Sequence, residues 1–319
     1  MPAGFYSRAE IEQIVDRILG GIGGRGKVFY VDPDNGSNGY DGRSPGKAKA
    51  STQAAVNLCQ EDRGDVIIRL PGTEQLGDGV LELNVRGIHL IGLPNLNPMR
   101  PELCLVARFG ADDTVATGDA TGPAAIVTKP CEIAGMAFYA DWTLDEGVAY
   151  PGQSGADLEL DGEEGGFAGN FCHIHHCEFP GWGESGGIFL WAGSFNLIEE
   201  CSFTGLTFGI KLGPTTSRNP TDNQIRRNRF AGCTYGIDGL ATGTYHNMEV
   251  GPENTFYSNN AKAMTNAIRT RDRWNYGLIC RNCIGLPEAS AFDKNKADME
   301  AQHVYAVCNC YTDGTDPRT

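Results

Sequence analysis

The sequence predicts an all-β solenoid, and three observations predict it. A short phrase recurs six times: an aliphatic residue, two variable residues, a Cys, Asn or Met, a spacer, and an apolar residue that is usually Phe. It reads Ile133-x-x-Met136-x-Phe138, Ile174-x-x-Cys177-x-Phe179, Ile198-x-x-Cys201-x-Phe203, Ile225-x-x-Asn228-x-Phe230, a degenerate Asn254-x-Phe256, and Ile279-x-x-Asn282-x-Ile284. The closing residues Phe179, Phe203, Phe230 and Phe256 lie 24, 27 and 26 residues apart. A period in the twenties is that of stacked repeats, each burying its apolar face on its neighbours. Finally, 43 glycines accompany Val, Ile and Phe on a period of two, a composition of strands and turns.

Length and charge narrow the function classes. The 319 residues suffice for one large solenoid or two ordinary domains. A net charge of -14 and a pI near 4.8 argue against a nucleic-acid partner and against docking on anionic membranes. No apolar run approaches the roughly 18 residues of a membrane span. The start, MPAGFYSRAEIEQIV, lacks the basic n-region and apolar core of a secretion signal, which reads as synthesis and folding in a cytoplasm. Eleven cysteines leave at least one unpaired within a chain, and reduced thiols buried in the stack are the expectation there.

The elements follow in order. Residues 7–19 read as a helix, with Ser7 as its cap, Glu10 completing a capping box, and Ile11, Ile14, Val15 and Ile18 in one apolar stripe. That stripe suits either a trimeric bundle or packing on the chain's own solenoid. GGIGGRG, residues 20–26, is a flexible linker. Lys27–Val31 is a strand, followed by a turn-rich stretch, a helix TQAAVNLC capped by Ser51, and a strand in DVIIRLPG at residues 65–72. Residues 141–164 interrupt the repeat with eight acidic side chains and no Lys or Arg, the expectation being a solvated loop or a Ca²⁺ site. Residues 286–319 lose the phrase: FDKNKADMEAQ reads as a closing helix before a last strand, HVYAVCNCY. The expected division is an arm at 1–26, the solenoid at 27–285 and a C-terminal cap and tail at 286–319.

The run YVDPDNGSNGYDGRSP, then STQAAV, then DVIIRLPG resembles the opening of many right-handed parallel β-helix proteins of the pectate-lyase-like superfamily. This likeness covers residues 28–72, and with the repeats it spans about 28–285. It implies a right-handed parallel β-helix whose short helix covers the first rung. The superfamily holds pectate lyases, polygalacturonases, phage tailspikes and structural virion proteins, so it implies no single activity. The W-x-D-H and R-x-P-x-x-R stretches of pectate lyases and the G-H-G of polygalacturonases are absent, and no catalytic residue carries over.

In such a fold equal positions of successive rungs stack about 4.8 Å apart. The inward columns are then Ile133 to Ile279, the Phe stack, and Met136, Cys177, Cys201, Asn228, Asn254 and Asn282, the last three resembling the superfamily's asparagine ladder. A Cys177–Cys201 disulfide is compatible with that spacing, as are free thiols. The outward columns place Glu199 between His175 and Arg226, and Glu200 between His176 and Arg227. One reading is a cross-strand ion ladder. The other is a glycan site in which Glu199 and Glu200 act as acid and base, with Arg226, Arg227 and His175 beside them. Lys211 is expected to pair with Asp238, and Trp182 and Trp191 are candidate platforms for sugar faces. Zn²⁺ is conceivable at His173 and His175 with Glu199, or at Cys280-x-x-Cys283 with Cys308-x-Cys310, whose alternatives are disulfides or free thiols.

These features, with no secretion signal and an Ile-striped arm, lead to an expected non-enzymatic structural protein of a phage virion, made in the host cytoplasm. It would decorate a capsid or attach to a tail, probe surface glycans, and assemble as a homotrimer against a capsid protein. The alternative is a polysaccharide lyase or glycoside hydrolase acting on acidic glycans.

Overall fold

The computed structural model describes residues 26–76, 79–93, 104–108, 123–140, 156–161, 169–181, 186–191, 193–213, 219–239, 245–259, 263–270, 274–286, 291–293, 299, 304–307 and 309–311. The expected helical arm, Trp182, Cys308, most of the acidic stretch and most of FDKNKADMEAQ lie outside them. The described strands form three sheets, of ten, nine and seven strands, in which every neighbouring pair is parallel and separated by one turn of the chain. This is the stack of parallel rungs the repeat predicts and the parallel β-helix the resemblance implies. Among the described residues no helix is long and apolar enough to cross a membrane.

Each copy of the phrase crosses the corner between the first and second sheets. The first sheet takes the aliphatic position: Ile133, Ile174, Ile198 and Ile225 are mutual register partners, all fully buried. The second takes the Phe position, and its rings stack from Phe179 through Phe203 and Phe230 to Phe256, with centroids 4.9, 4.8 and 4.6 Å apart. The third sheet makes room for them. A Cβ on Gly187, Gly209 or Gly236 would come within 2.6 Å of the ring of Phe203, Phe230 or Phe256 respectively, so a glycine column faces the aromatic column.

The asparagine ladder exists and runs further than the phrase indicates. The Oδ1 atoms of Asn228, Asn254 and Asn309 accept from the backbone N–H of Cys201, Asn228 and Asn282 at 2.9, 2.9 and 3.0 Å. A second ladder at another corner, Asn196 over Asn223, accepts the N–H of Cys172 and then of Asn196 at 2.8 and 3.0 Å. Cys177 and Cys201 are thiols that donate to the carbonyls of Ile133 and Ile174, so no disulfide joins them. Burial, and then the hydrogen bond with the neighbouring Cys177 thiol, hold Cys201 well above its usual pKa and outweigh a backbone hydrogen bond at Cys177.

Two stretches outside the phrase also join the sheets, and the second carries the expected last strand. Within the acidic stretch Ala156–Asp161 is a strand of the third sheet, pairing with Ala125–Val127 and Gly186–Trp191, because its D-L-E-L-D alternation meets the period of two. Beyond residue 286, Val304–Val307 and Cys310–Tyr311 extend the first and second sheets, so the cap region carries one more rung. At the other end the helix Thr52–Val56 forms under the expected cap, Ser51 Oγ accepting the Ala54 N–H at 3.3 Å, and buries Ala55 and Val56 in the core.

Candidate functional site on the outer face of the first sheet

The strand His173–His175 turns one side chain inward and two outward. Ile174 is buried, while His173 and His175 share the outer face with ring centroids 4.2 Å apart. The next residue, His176, adopts φ 53°, and the equivalent Glu200, Arg227, Glu253 and Arg281 take φ between 52° and 66°. This left-handed corner swings the following residue inward and leaves its own side chain outside. It therefore stacks His176, Glu200 and Arg227 beside the outward column of the strand.

The result is a continuous hydrogen-bonded network. Glu132, one rung before His173, receives His175 Nε2 at 2.9 Å on one oxygen and His89 Nδ1 at 2.5 Å on the other. His175 Nδ1 and His176 Nδ1 are 2.8 Å apart, and His176 Nε2 reaches Glu200 at 2.7 Å. Arg227 bridges Glu200, at 2.9 Å, to Glu199. Glu199 also receives Arg226 Nε and His173 Nε2, both at 2.8 Å. Burial, the largest influence on Glu199, disfavours its charge, but the bonds from Arg226 and His173 and the charges of both arginines outweigh it and hold the carboxyl below its usual range. Glu132 is held far below its usual range by the hydrogen bonds from His175 and then His89. Both carboxyls are ionised acceptors.

All five residues nominated from the sequence, His175, Glu199, Glu200, Arg226 and Arg227, come together here, in a different wiring. The register partner of Glu199 is His175, yet the imidazole that binds it is His173, diagonally across the rung, because His175 turns back to Glu132. Glu132 and His89 belong to the outward column one place before the aliphatic position, where His89, Glu132 and His173 are register partners. Reading the phrase one residue further upstream exposes that column.

Other nominated features sit elsewhere. Trp191 is only 6% exposed, packed with Phe189 and Phe208 on the third sheet, and its buried face offers no platform to a sugar. Lys211 and Asp238 are register partners on the third sheet, where Arg269 also clamps Asp238 at 2.5 and 2.6 Å and Lys211 Nζ lies over the Phe208 ring at 5.0 Å. Cys280, Cys283 and Cys310 are thiols rather than disulfides. Among the described residues the one gathering of three metal-ligating side chains is Glu132, His173 and His175, not a cysteine cluster.

The fold and this outer face define a parallel β-helix protein with a charged, histidine-rich flank. No protein-family model matches the sequence, and no curated protein matches it. Solved structures do. A GH136 lacto-N-biosidase from Eubacterium ramulus is similar at TM-score 0.56 and 14% identity, over 90% of this chain and 56% of that one. An alginate lyase from Paenibacillus sp. str. FPU-7 follows at TM-score 0.52 and 13% identity, covering 83% and 93%. A rhamnogalacturonan lyase gives TM-score 0.51 and 13% identity, covering 91% and 89%. This chain thus spans little more than half of the lacto-N-biosidase and most of each lyase. At such identities the likeness establishes the fold. All three neighbours are carbohydrate-active enzymes, which corrects the expectation of a non-enzymatic phage virion protein.

Proposed function

We propose that the chain is a polysaccharide lyase acting on acidic glycans at the outer face of the first sheet. The observation that supports this most is the arrangement around Glu199. Its carboxylate fixes His173 through Nε2, and no hydrogen bond reaches His173 Nδ1 among the described residues. The same carboxylate fixes Arg226 through Nε alone, which leaves the two Nη groups to a ligand. One anchor therefore holds an imidazole with an open lone pair beside a guanidinium with an open fork. His173 is 38% exposed and Arg226 33%.

A uronate fits this pair. Arg226 binds the sugar carboxylate and withdraws charge from the adjacent C5–H bond. His173 Nδ1 takes the C5 proton, the C–H electron pair becomes the C4–C5 double bond, the C4–O bond breaks, and the departing oxygen takes a proton from water. Imidazole is suited to that exchange near neutral pH. His175, although it is the register partner of Glu199, has both ring nitrogens engaged and serves as part of the scaffold. Hydrolysis by a carboxyl pair would need one protonated acid. Glu132 and Glu199 are held in the opposite state. The neighbouring alginate and rhamnogalacturonan lyases are in keeping with this choice.

The test is incubation with alginate, polygalacturonate and rhamnogalacturonan while ultraviolet absorbance of unsaturated ends and reducing ends are followed together. Both should rise, and His173→Ala should lower the rate by roughly 10²–10⁴. Arg226→Lys, which loses the fork, should raise KM. New reducing ends without absorbance would mean hydrolysis and overturn the proposal, as would the absence of turnover on all three.

A further inference from the structure

We propose that Glu132, His173 and His175 form a binding site for a divalent transition metal of the zinc class. One ligand atom from each lies within 4.8 Å of the others. A tetrahedral zinc with bonds of about 2.1 Å sets its ligands about 3.4 Å apart, so small side-chain rotations close the site. The two histidines are two apart on one strand and face the same side; their rings stack with centroids 4.2 Å apart, and one turns about its χ2 to aim its in-plane lone pair at a shared ion. Glu132 approaches from the preceding rung.

The surroundings are those of a built site. His173 gives Nε2 to Glu199 at 2.8 Å, which leaves Nδ1 for the metal. Glu199 is itself held by Arg226 and Arg227. His89 Nδ1 holds one oxygen of Glu132 at 2.5 Å, so the other is presented toward His175. His175 has the His176 ring 2.8 Å from its Nδ1, leaving Nε2 on the Glu132 side. Each ligand thus has an outer partner that fixes its orientation, as metal-ligating histidines and carboxylates require. Two nitrogens and one carboxylate select zinc-class ions over Ca²⁺. The three side chains are 19–38% exposed, so a fourth position opens to solvent. Sequence spacing pointed to His173 and His175 with Glu199; the fold replaces Glu199 with Glu132 as ligand and moves Glu199 behind His173.

Zinc and the substrate proton compete for the same lone pair on His173. The metal therefore acts as an inhibitor of the reaction, a consequence that rests on the lyase reading, whereas the site itself does not.

The experiment is calorimetric titration of the metal-stripped full chain with Zn²⁺ alone, with far-ultraviolet circular dichroism to verify folding of each variant. One zinc per chain should bind. Glu132→Gln and His175→Ala should each weaken binding at least tenfold, and Glu199→Gln by about 10–100-fold through the lost outer partner. Glu253→Gln, on the same corner but away from the site, should bind as the parent does, and Ca²⁺ should not compete. Histidine ring signals in NMR should shift on zinc addition in the parent and not in folded His175→Ala. No binding, or binding indifferent to Glu132→Gln and His175→Ala, overturns the site. Zinc binding without turnover on any glycan would sink the lyase reading alone; turnover unaffected by saturating zinc would sink the inhibitory role alone.

Discussion

Replacing Asn254 by Ala tests what holds successive rungs together. Asn254 is fully buried, and its amide makes four hydrogen bonds. Oδ1 accepts from Asn228 N–H at 2.9 Å and from Asn228 Nδ2 at 3.2 Å; Nδ2 donates to Ile225 O at 2.8 Å and to Asn282 Oδ1 at 2.9 Å. Two of these partners keep a second contact: Ile225 O still accepts from Gly251 N–H, and Asn228 Nδ2 still donates to Ile198 O. Two buried groups lose their partner, the Asn228 N–H and the Asn282 Oδ1, each at about 1–3 kcal/mol before the site relaxes. The expected loss is about 3 kcal/mol. Because solenoid rungs open locally, the sharpest assay is native-state hydrogen exchange at the Asn228 amide, with urea unfolding alongside. At about 1.4 kcal/mol per decade, protection there should fall on the order of 10²-fold. Thr255→Ala, one residue on and facing outward, should cost under about 0.5 kcal/mol. Unchanged protection at Asn228, or a loss equal to that of Thr255→Ala, would refute the ladder as a structural tie.

Further outcomes follow from other columns. Phe203→Ala removes a fully buried ring stacked at 4.9 and 4.8 Å and should cost about 3–5 kcal/mol in urea unfolding, against roughly 1 kcal/mol for Phe203→Leu. Gly209→Ala brings a Cβ to 2.4 Å from the Phe230 ring and 2.7 Å from the Gly236 carbonyl, and should lower stability by about 1–3 kcal/mol, visible as a lower Tm. Burial alone would raise the Asp65 pKa, but the Arg63 bond, the Lys27 and Gln60 N–H groups and the Arg63 charge set it below the usual value. Its contribution is therefore present above the unfolded pKa of about 3.9 and fades as pH falls through the lower folded value, so the stability gap between parent and Asp65→Asn should narrow only below about pH 4. A thiol reagent should modify the exposed Cys283 and Cys310 in the native protein, and Cys131, Cys172, Cys177, Cys201 and Cys233 only after unfolding.

Much of the fold was legible because a parallel stack repeats one local solution. The spacing of Phe179, Phe203 and Phe230 counts rungs, and the residue types around it separate inside from outside. Two features escaped. The glycine column at Gly187, Gly209 and Gly236 is written as a recurring Gly-Ile, yet its reason, the Phe rings, lies on another sheet. Leu158 and Leu160 were hidden in an acidic setting, where charge content masked a period of two that pairs with the third sheet. The site was legible as a set of residues and illegible as a circuit. Columns predict which side chains are neighbours along the axis, but a long side chain also reaches diagonally, and the choice falls to the donor not already engaged, as His175 is by Glu132.

By itself the sequence determined a stack of parallel rungs, its buried columns of Ile, Asn and Phe, and an outer flank of His, Glu and Arg, since periodicity alone sorts residues by face. Only the tertiary structure decided that Glu132 and His89 join that flank and that Trp191 is buried. It also decided that Glu199 anchors His173 and Arg226 together. Those outcomes depend on rotamers and on contacts between rungs 26 to 43 residues apart, which no spacing within one repeat encodes.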